Sequence, residues 1–226
     1  MKRYRVCFAK KGVSDMFKRR KEEVFSLFLV FIMLMTLSAC SEKYESVEFL
    51  DKVGIAPYDL SEEGEYLLQA FGMENTSQII AFKAPKEAIT MNVNVYCLDN
   101  SEQWNPVGES AISIGEDREP VEQLEGTFAM QLQKNYGIDF HINCAGRMSS
   151  QSEEIVLDNE GLASVKVFLQ EFEEVELNTE VPVALMVYDS GTSMKSYSLQ
   201  DYFNPSEFAE MDIVQAVTLE FSDKGL

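Results

Sequence analysis

The chain has 226 residues, of which 46% are hydrophobic, and it carries 19 Lys and Arg against 38 Asp and Glu, a formal net charge of −19. The hydrophobic fraction is ample for a packed core and excludes extensive disorder. So acidic a chain repels phosphate backbones, and we therefore expect no nucleic-acid partner.

The N-terminal segment has the layout of a secretory signal. Lys18, Arg19, Arg20 and Lys21 precede an apolar run at 24–37, and small residues follow it. A transmembrane helix is the alternative, but the 14 residues of the run reach about 21 Å at about 1.5 Å each, against about 30 Å of hydrocarbon. We therefore expect a signal segment rather than a membrane span.

The apolar run ends in Leu37-Ser38-Ala39-Cys40. These four residues resemble the lipobox of bacterial lipoproteins, in which the cysteine thiol is lipidated and the chain is cut just before it. The resemblance implies that Leu37, Ser38 and Ala39 are recognised by the signal peptidase and that Cys40 carries a diacylglyceryl group. Two acyl chains give stable attachment. We therefore expect a lipoprotein anchored in the cell membrane, on its extracytoplasmic face.

Counted from Met1, the leader and signal at 1–39 are together longer than an ordinary secretory signal, which has about 15 to 30 residues. Met16 begins a signal of ordinary length, and we predict that it is the true start. The expected organisation is a leader and signal peptide at 1–39, the lipidated cysteine with its tether at 40–48, and one folded domain at 49–226. After cleavage, 10 Lys and Arg would remain against 35 Asp and Glu, a net charge of about −25.

Residues 41–75 give a mixed signal. Apolar residues between Tyr66 and Phe71 have helical spacing, whereas Gly64 and Gly72 on either side favour a short strand, which we prefer. The large apolar side chains of this region are expected to be buried, and they are Phe49, Leu50, Ile55, Tyr58, Tyr66, Leu67, Leu68 and Phe71.

Alternation of apolar and polar residues predicts a series of half-buried strands. The clearest lies at 89–97, where alternate residues from Ile89 to Cys97 are apolar. Further strands are predicted at 127–133, 136–144, 162–172, 181–188 and 214–221, with weaker candidates at 78–83 and 111–114. Turn signals separate them at Asn105-Pro106, 158–161, 189–191 and Asn204-Pro205. Pro182 should lie near a strand start or an edge.

The strands at 127–133 and 136–144 predict a hairpin whose loop length follows from parity. A two-residue loop would put the two apolar sets on opposite faces. A three-residue loop at 133–135 instead pairs Leu132 with Tyr136 and Met130 with Ile138. Asn135 would then take the left-handed conformation that such loops require.

Many short alternating strands separated by turns predict an all-β fold, an antiparallel β-sandwich of immunoglobulin-like or jelly-roll type. Residues 158–167, with the sequence D-N-E-G-L-A-S-V-K-V, add support. They are similar to the D-x-x-G-x-A-x-V-x-V segment of bacterial immunoglobulin-like surface domains, in which a turn leads into a core strand. The similarity covers ten residues and bears on the fold alone.

Residue types that catalysis needs are scarce. His141 is the only histidine, and parity places it on the solvent face beside Asp139, away from Cys144. There is no G-x-S-x-G elbow, and one histidine without a close cysteine pair excludes the usual zinc sites. If Cys40 carries lipid, Cys97 and Cys144 remain, and they either pair or are buried thiols.

The residue types bear on two kinds of ligand site, for calcium and for a glycan. For calcium, 158–161 lacks the oxygen spacing of an EF-hand loop and 116–119 has an arginine in its middle, so we expect no cofactor. For a glycan, the candidate aromatic residues are Trp104, Tyr202 and Phe203. A four-residue loop at 99–102 would instead place Trp104 opposite Cys97 in the core.

These observations predict a lipid-anchored, non-catalytic β-sandwich that binds a protein or a glycan at the cell envelope. The alternative is an extracytoplasmic glycan-acting hydrolase with paired carboxylates. That chemistry needs two carboxyl groups about 5 to 10 Å apart in a deep cleft.

Overall fold

The computed structural model describes residues 50–117, 122–144, 146–155, 162–191 and 195–226. They contain one α-helix, α1 (Glu62–Ala70), and two 3-10 helices, Leu199–Phe203 and Pro205–Phe208, together called the 3-10 cover. The strands in chain order are β1 (Gly54–Pro57), β2 (Ser77–Lys83), β3 (Thr90–Leu98), β4 (Trp104–Ser113), β5 (Glu125–Leu132), β6 (Ile138–Asn143), β7 (Arg147–Gln151), β8 (Ala163–Phe168), β9 (Glu180–Asp189) and β10 (Ile213–Ser222).

The strands form two five-stranded antiparallel sheets, so the predicted β-sandwich is confirmed. Sheet A has the order β1-β2-β5-β6-β7, and sheet B has the order β4-β3-β10-β9-β8. Side chains from both sheets fill the space between them and form the main core, in which Phe82 and Phe128 of sheet A and Met91 and Phe221 of sheet B are fully buried. Burial of each such side chain contributes about 1.5 to 3 kcal/mol.

Most predicted strands are present. In β3, alternate residues Met91, Val93 and Val95 are fully buried, which confirms the predicted alternation. The strands at 78–83, 181–188 and 214–221 are confirmed as β2, β9 and β10, whereas β4 is longer than predicted and β8 ends at Phe168 instead of 172. Two edge strands lack the alternation of apolar and polar residues on which the prediction depends. Strand β1 has only four residues, and the only large apolar residue of β7 is Met148.

Sheet B is buried on both faces at β9 and β10. The outward-facing Leu185, Val187, Val214 and Ala216 are buried beneath the 3-10 cover and form a second core with it. Both β9 and β10 are therefore almost wholly buried. Pro182 lies near the start of β9, next to a register shift against β10, as predicted.

The β5–β6 hairpin has the predicted loop length but a different register. Its loop is Lys134-Asn135-Tyr136, closed by a bond from the Gln133 N–H to the Gly137 carbonyl at 2.8 Å, and Leu132 pairs with Ile138. The predicted pairing was therefore wrong by two positions, although parity was preserved. Tyr136, with φ 62°, is the left-handed residue, not Asn135.

Tertiary contacts explain why the left-handed residue of this hairpin is a tyrosine. The Tyr136 ring packs edge-on against Tyr188 with centroids 4.8 Å apart, and its carbonyl accepts a 2.8 Å hydrogen bond from Gln215 Nε2. Asn135 instead uses its side-chain oxygen to accept the Gly137 N–H at 3.3 Å. These contacts offset the cost of about 1 to 2 kcal/mol of a left-handed non-glycine residue.

The β3–β4 hairpin corrects two further expectations. Its loop is Asn100-Ser101-Glu102 rather than 99–102, so Trp104 pairs with Leu98 and not with Cys97. Asn105-Pro106 is not a turn but part of β4, beside a register shift. Because β4 is an edge strand, the missing proline N–H costs no ladder bond there.

Helix α1 replaces the short strand that we preferred at 66–71. Ser61 caps it by accepting the Gly64 N–H at 3.3 Å, and the left-handed Gly72 ends it, with bonds from Gly72 N–H to the Gln69 carbonyl and from Met73 N–H to the Leu68 carbonyl. The two glycines therefore mark helix ends rather than a strand. Across the described ranges, no helix is long and apolar enough to cross a membrane.

Candidate functional site

The three aromatic candidates lie together beside the outer face of sheet B. Trp104 stacks on Tyr202 with ring centroids 5.0 Å apart, and its Nε1–H donates to the Tyr202 carbonyl at 3.0 Å. The Tyr202 and Phe203 centroids are 5.2 Å apart. Tyr202 belongs to the second core, and Trp104 packs against it. The expected pairing of Trp104 with Cys97 was wrong, since Trp104 pairs with Leu98. Phe203 is 56% exposed.

Glu180, which residue-type reasoning did not single out, collects four hydrogen-bond donors at the border of this second core. Its Oε1 accepts from Asn94 Nδ2 at 2.7 Å, from the Tyr96 hydroxyl at 2.6 Å and from Thr218 Oγ1 at 3.3 Å. Its Oε2 accepts from the Tyr202 hydroxyl at 3.1 Å. One carboxylate therefore ties the 3-10 cover to β3 and β10.

The two phenols of this network are held in their protonated state. Burial, followed by the hydrogen bond to Glu180, raises the pKa of Tyr96 well above its ordinary value. Burial and the charge of Glu180 likewise raise the pKa of Tyr202. A phenol so disposed is a hydrogen-bond donor and a poor source of phenolate. The network thus fastens the 3-10 cover to sheet B. The arrangement of these residues gives no support to the glycan-acting hydrolase, which stays a prediction.

The remaining candidates for chemistry are dispersed. His141 is exposed on the outer face of sheet A, as predicted, with its Nδ1 2.7 Å from Ser149 Oγ. Cys97 and Cys144 are half-buried against the main core and are not joined in a disulfide. Burial, and then the charge of Asp99, raise the pKa of the Cys97 thiol, which reduces its reactivity.

Several predictions from sequence concern residues outside the described ranges. The lipobox Leu37, Ser38, Ala39 and Cys40 lies there, as do the turn at 158–161 and half of 116–119. Among the residues that the structure does describe, no group of three His, Cys, Asp or Glu side chains is placed to hold a metal ion.

Helix α1 presents an apolar surface that nothing in the described chain covers. Tyr66, Leu67 and Phe71 are 67%, 55% and 75% exposed, and the helix has no buried residue. Together with Ala70 they form one side of the helix, here called the α1 stripe, because residues three and four apart are neighbours on a helix. The helical spacing of these residues predicts the stripe, but the expectation that they would be buried was wrong.

A cleft of about 480 Å³ lies between α1 and strands β1 and β2. Its walls combine apolar and aromatic groups with three carboxylates, and they include Tyr58, Leu68, Ile79, Tyr66, Glu62, Glu65 and Glu74. A partly apolar cleft of this size with a few polar groups is typical of a binding site. The stripe and this α1 cleft share Tyr66 and form one continuous candidate surface.

Comparison with family models, with curated proteins and with solved structures finds no match for this chain.

Proposed function

We propose that this protein is a lipid-anchored, non-catalytic β-sandwich module displayed on the extracytoplasmic face of the cell membrane, where it holds a protein partner on the α1 stripe. The observation that supports this proposal is the exposure of three large apolar side chains on a helix that buries none of its residues. Apolar and aromatic side chains of this kind form the centres of protein interfaces.

The stripe contributes nothing to the sandwich itself. Burying a leucine or phenylalanine is worth about 1.5 to 3 kcal/mol, and Leu67 and Phe71 do not obtain it within the described chain. A nine-residue helix is also shorter than the roughly 12 to 15 residues that a marginally stable isolated helix needs. The Ser61 cap and the Gly72 end nevertheless hold the helix in place. A preformed helix lowers the ordering cost of binding.

Replacing Cys40 tests the anchor. In Cys40→Ala the thiol that would carry the lipid is absent, so we expect the protein to be released or poorly processed. The measurement is the distribution of full-length protein between membrane and soluble fractions, with Cys97→Ala as a control that keeps Cys40. Unchanged membrane retention of Cys40→Ala would overturn the anchor.

Replacing Leu67 and Phe71 together by Ser tests the binding surface. We expect the amount of partner crosslinked to the protein on intact cells to fall about tenfold or more, because apolar anchors at an interface centre carry most of the binding energy. Leu226→Ser is the matched control, since Leu226 is 85% exposed and lies at the other end of the chain. Equal capture by both variants would refute the assignment of the stripe.

A further inference from the structure

Carboxylates lie on α1 and in the adjoining α1 cleft. Glu62, Glu63 and Glu65 occupy the first turn of α1, and its last turn contains no basic residue. Glu74 adds a carboxylate to the α1 cleft. Of the described residues that line the cleft, none is Lys, Arg or His.

Among the residues that the structure describes, no cationic side chain forms an ion pair with these carboxylates. The ion pairs Lys83–Glu125 and Lys195–Glu207 lie elsewhere, and within the described chain none is formed by Glu62, Glu65 or Glu74. An apolar stripe next to carboxylates without cationic partners is complementary to a surface that combines apolar and basic side chains.

We propose, resting on the proposed function, that the partner docks through a basic segment, which inserts a lysine or arginine side chain into the α1 cleft while neighbouring apolar side chains cover the α1 stripe. Glu62, Glu65 and Glu74 receive the cationic group, and the rings of Tyr58 and Tyr66 offer it aromatic faces. Leu67 and Phe71 receive the apolar side chains.

Repulsion by the glutamates disfavours the other possible occupants of this surface. A second copy of the chain would bring the same glutamates against each other, and an acidic peptide or an anionic lipid surface would meet the same repulsion. A basic segment is attracted instead, and the excess of acidic residues across the whole chain adds long-range steering to its approach.

The first part of the experiment identifies what covers the stripe. A photo-crosslinking amino acid replaces Leu67 in the full chain, the adduct is formed on intact cells, and the crosslinked segment is mapped by mass spectrometry. We expect a polypeptide segment in which Lys or Arg lies within one helical turn of an apolar residue.

The second part measures the charge dependence with the mapped segment as a synthetic peptide. The triple variant Glu62→Gln, Glu65→Gln and Glu74→Gln should weaken its binding to the full chain about tenfold at low ionic strength, as expected for three exposed charge pairs. Added salt should weaken binding to the unsubstituted protein more than to the variant. The matched control replaces three exposed glutamates elsewhere by Gln and should bind normally, namely Glu171, Glu174 and Glu176.

The outcomes separate this inference from the function on which it rests. A mapped polypeptide segment that is neutral or acidic, or binding that the cleft triple leaves unchanged, overturns the basic segment and leaves a protein partner on the stripe. An adduct to lipid or to a second copy, or no polypeptide adduct at all, overturns both. A basic segment whose binding falls only in the cleft triple supports both.

Discussion

Two helical segments lie outside the two sheets, and they differ in how far most of their aromatic residues are buried. In the 3-10 cover, Tyr202 and Phe208 are buried against sheet B. By contrast, Tyr66 of α1 and Phe71, which follows the last residue of the helix, are mostly exposed. The cover is fastened by the bonds of Glu180 and Trp104 to Tyr202, whereas α1 is held by its own end caps. Aromatic content alone therefore does not identify a binding surface, because the covered aromatic residues complete the fold and only exposed ones are accessible to a partner.

The two segments should differ most in how much an aromatic side chain contributes to the free energy of unfolding. Phe208→Ala should lower the free energy of unfolding by about 3 to 4 kcal/mol, since it leaves a cavity where the ring packs against Trp104 and Tyr197 at centroid distances of 6.3 and 5.2 Å. Phe71→Ala, at an exposed position, should change it by less than about 0.5 kcal/mol. Urea denaturation of the two variants measures both values. Equal losses would show that α1 is as much a part of the core as the cover.

The Glu180 network provides the next test. Glu180→Ala removes the acceptor of four donors and should destabilise the protein by about 2 kcal/mol, because the hydroxyls of Tyr96 and Tyr202 lose their partner at a partly buried site. Urea denaturation measures the loss, and fluorescence of Trp104, the only tryptophan, reports specifically on the cover. Glu176→Ala, at an exposed position, is the control. Unaltered tryptophan emission in Glu180→Ala would mean that the carboxylate does not fasten the cover.

The sequence predicts the sandwich because alternation is a local property. Met91, Val93 and Val95 are buried as expected since each strand needs only one apolar face. Registers are less predictable, because they depend on distant groups. The contact of Tyr136 with Tyr188 fixes the β5–β6 loop, and no pattern within the hairpin reveals it.

The candidate surface was predictable in part. The helical spacing at 66–71 predicts the stripe, but Gly64 and Gly72 led us to prefer a strand, which was wrong because Gly72 ends the helix that Ser61 caps. Burial was the wrong inference, because it assumed a place for these side chains in the sandwich, while alternate residues of the ten strands already fill the main core. The role of Glu180 was hidden for another reason, since its partners Asn94 and Tyr96 are 86 and 84 residues away in the chain.

The smallest expected effect is the contribution of Tyr202 to the pH dependence of stability. Tyr202 has a pKa that is raised in the folded protein by burial and by Glu180, so folding favours its protonated form. This stabilisation is complete below the ordinary tyrosine pKa of about 10 and is lost as the pH rises above it. The loss cannot exceed about 1.4 kcal/mol per pH unit for this residue. Urea denaturation followed by Trp104 fluorescence at several pH values above 9 measures it.

Tyr202→Phe separates this effect from alkaline unfolding in general. The variant has no phenol to ionise at this position, so its free energy of unfolding should be lower at neutral pH, where the bond to Glu180 is missing, and should fall less steeply above pH about 10. Tyr66→Phe, at a side chain that is 67% exposed, is the control variant measured in parallel. If Tyr66→Phe and Tyr202→Phe flatten the slope equally, the burial of Tyr202 and its bond to Glu180 are not the source of the pH dependence, because the loss of any phenol then has the same effect.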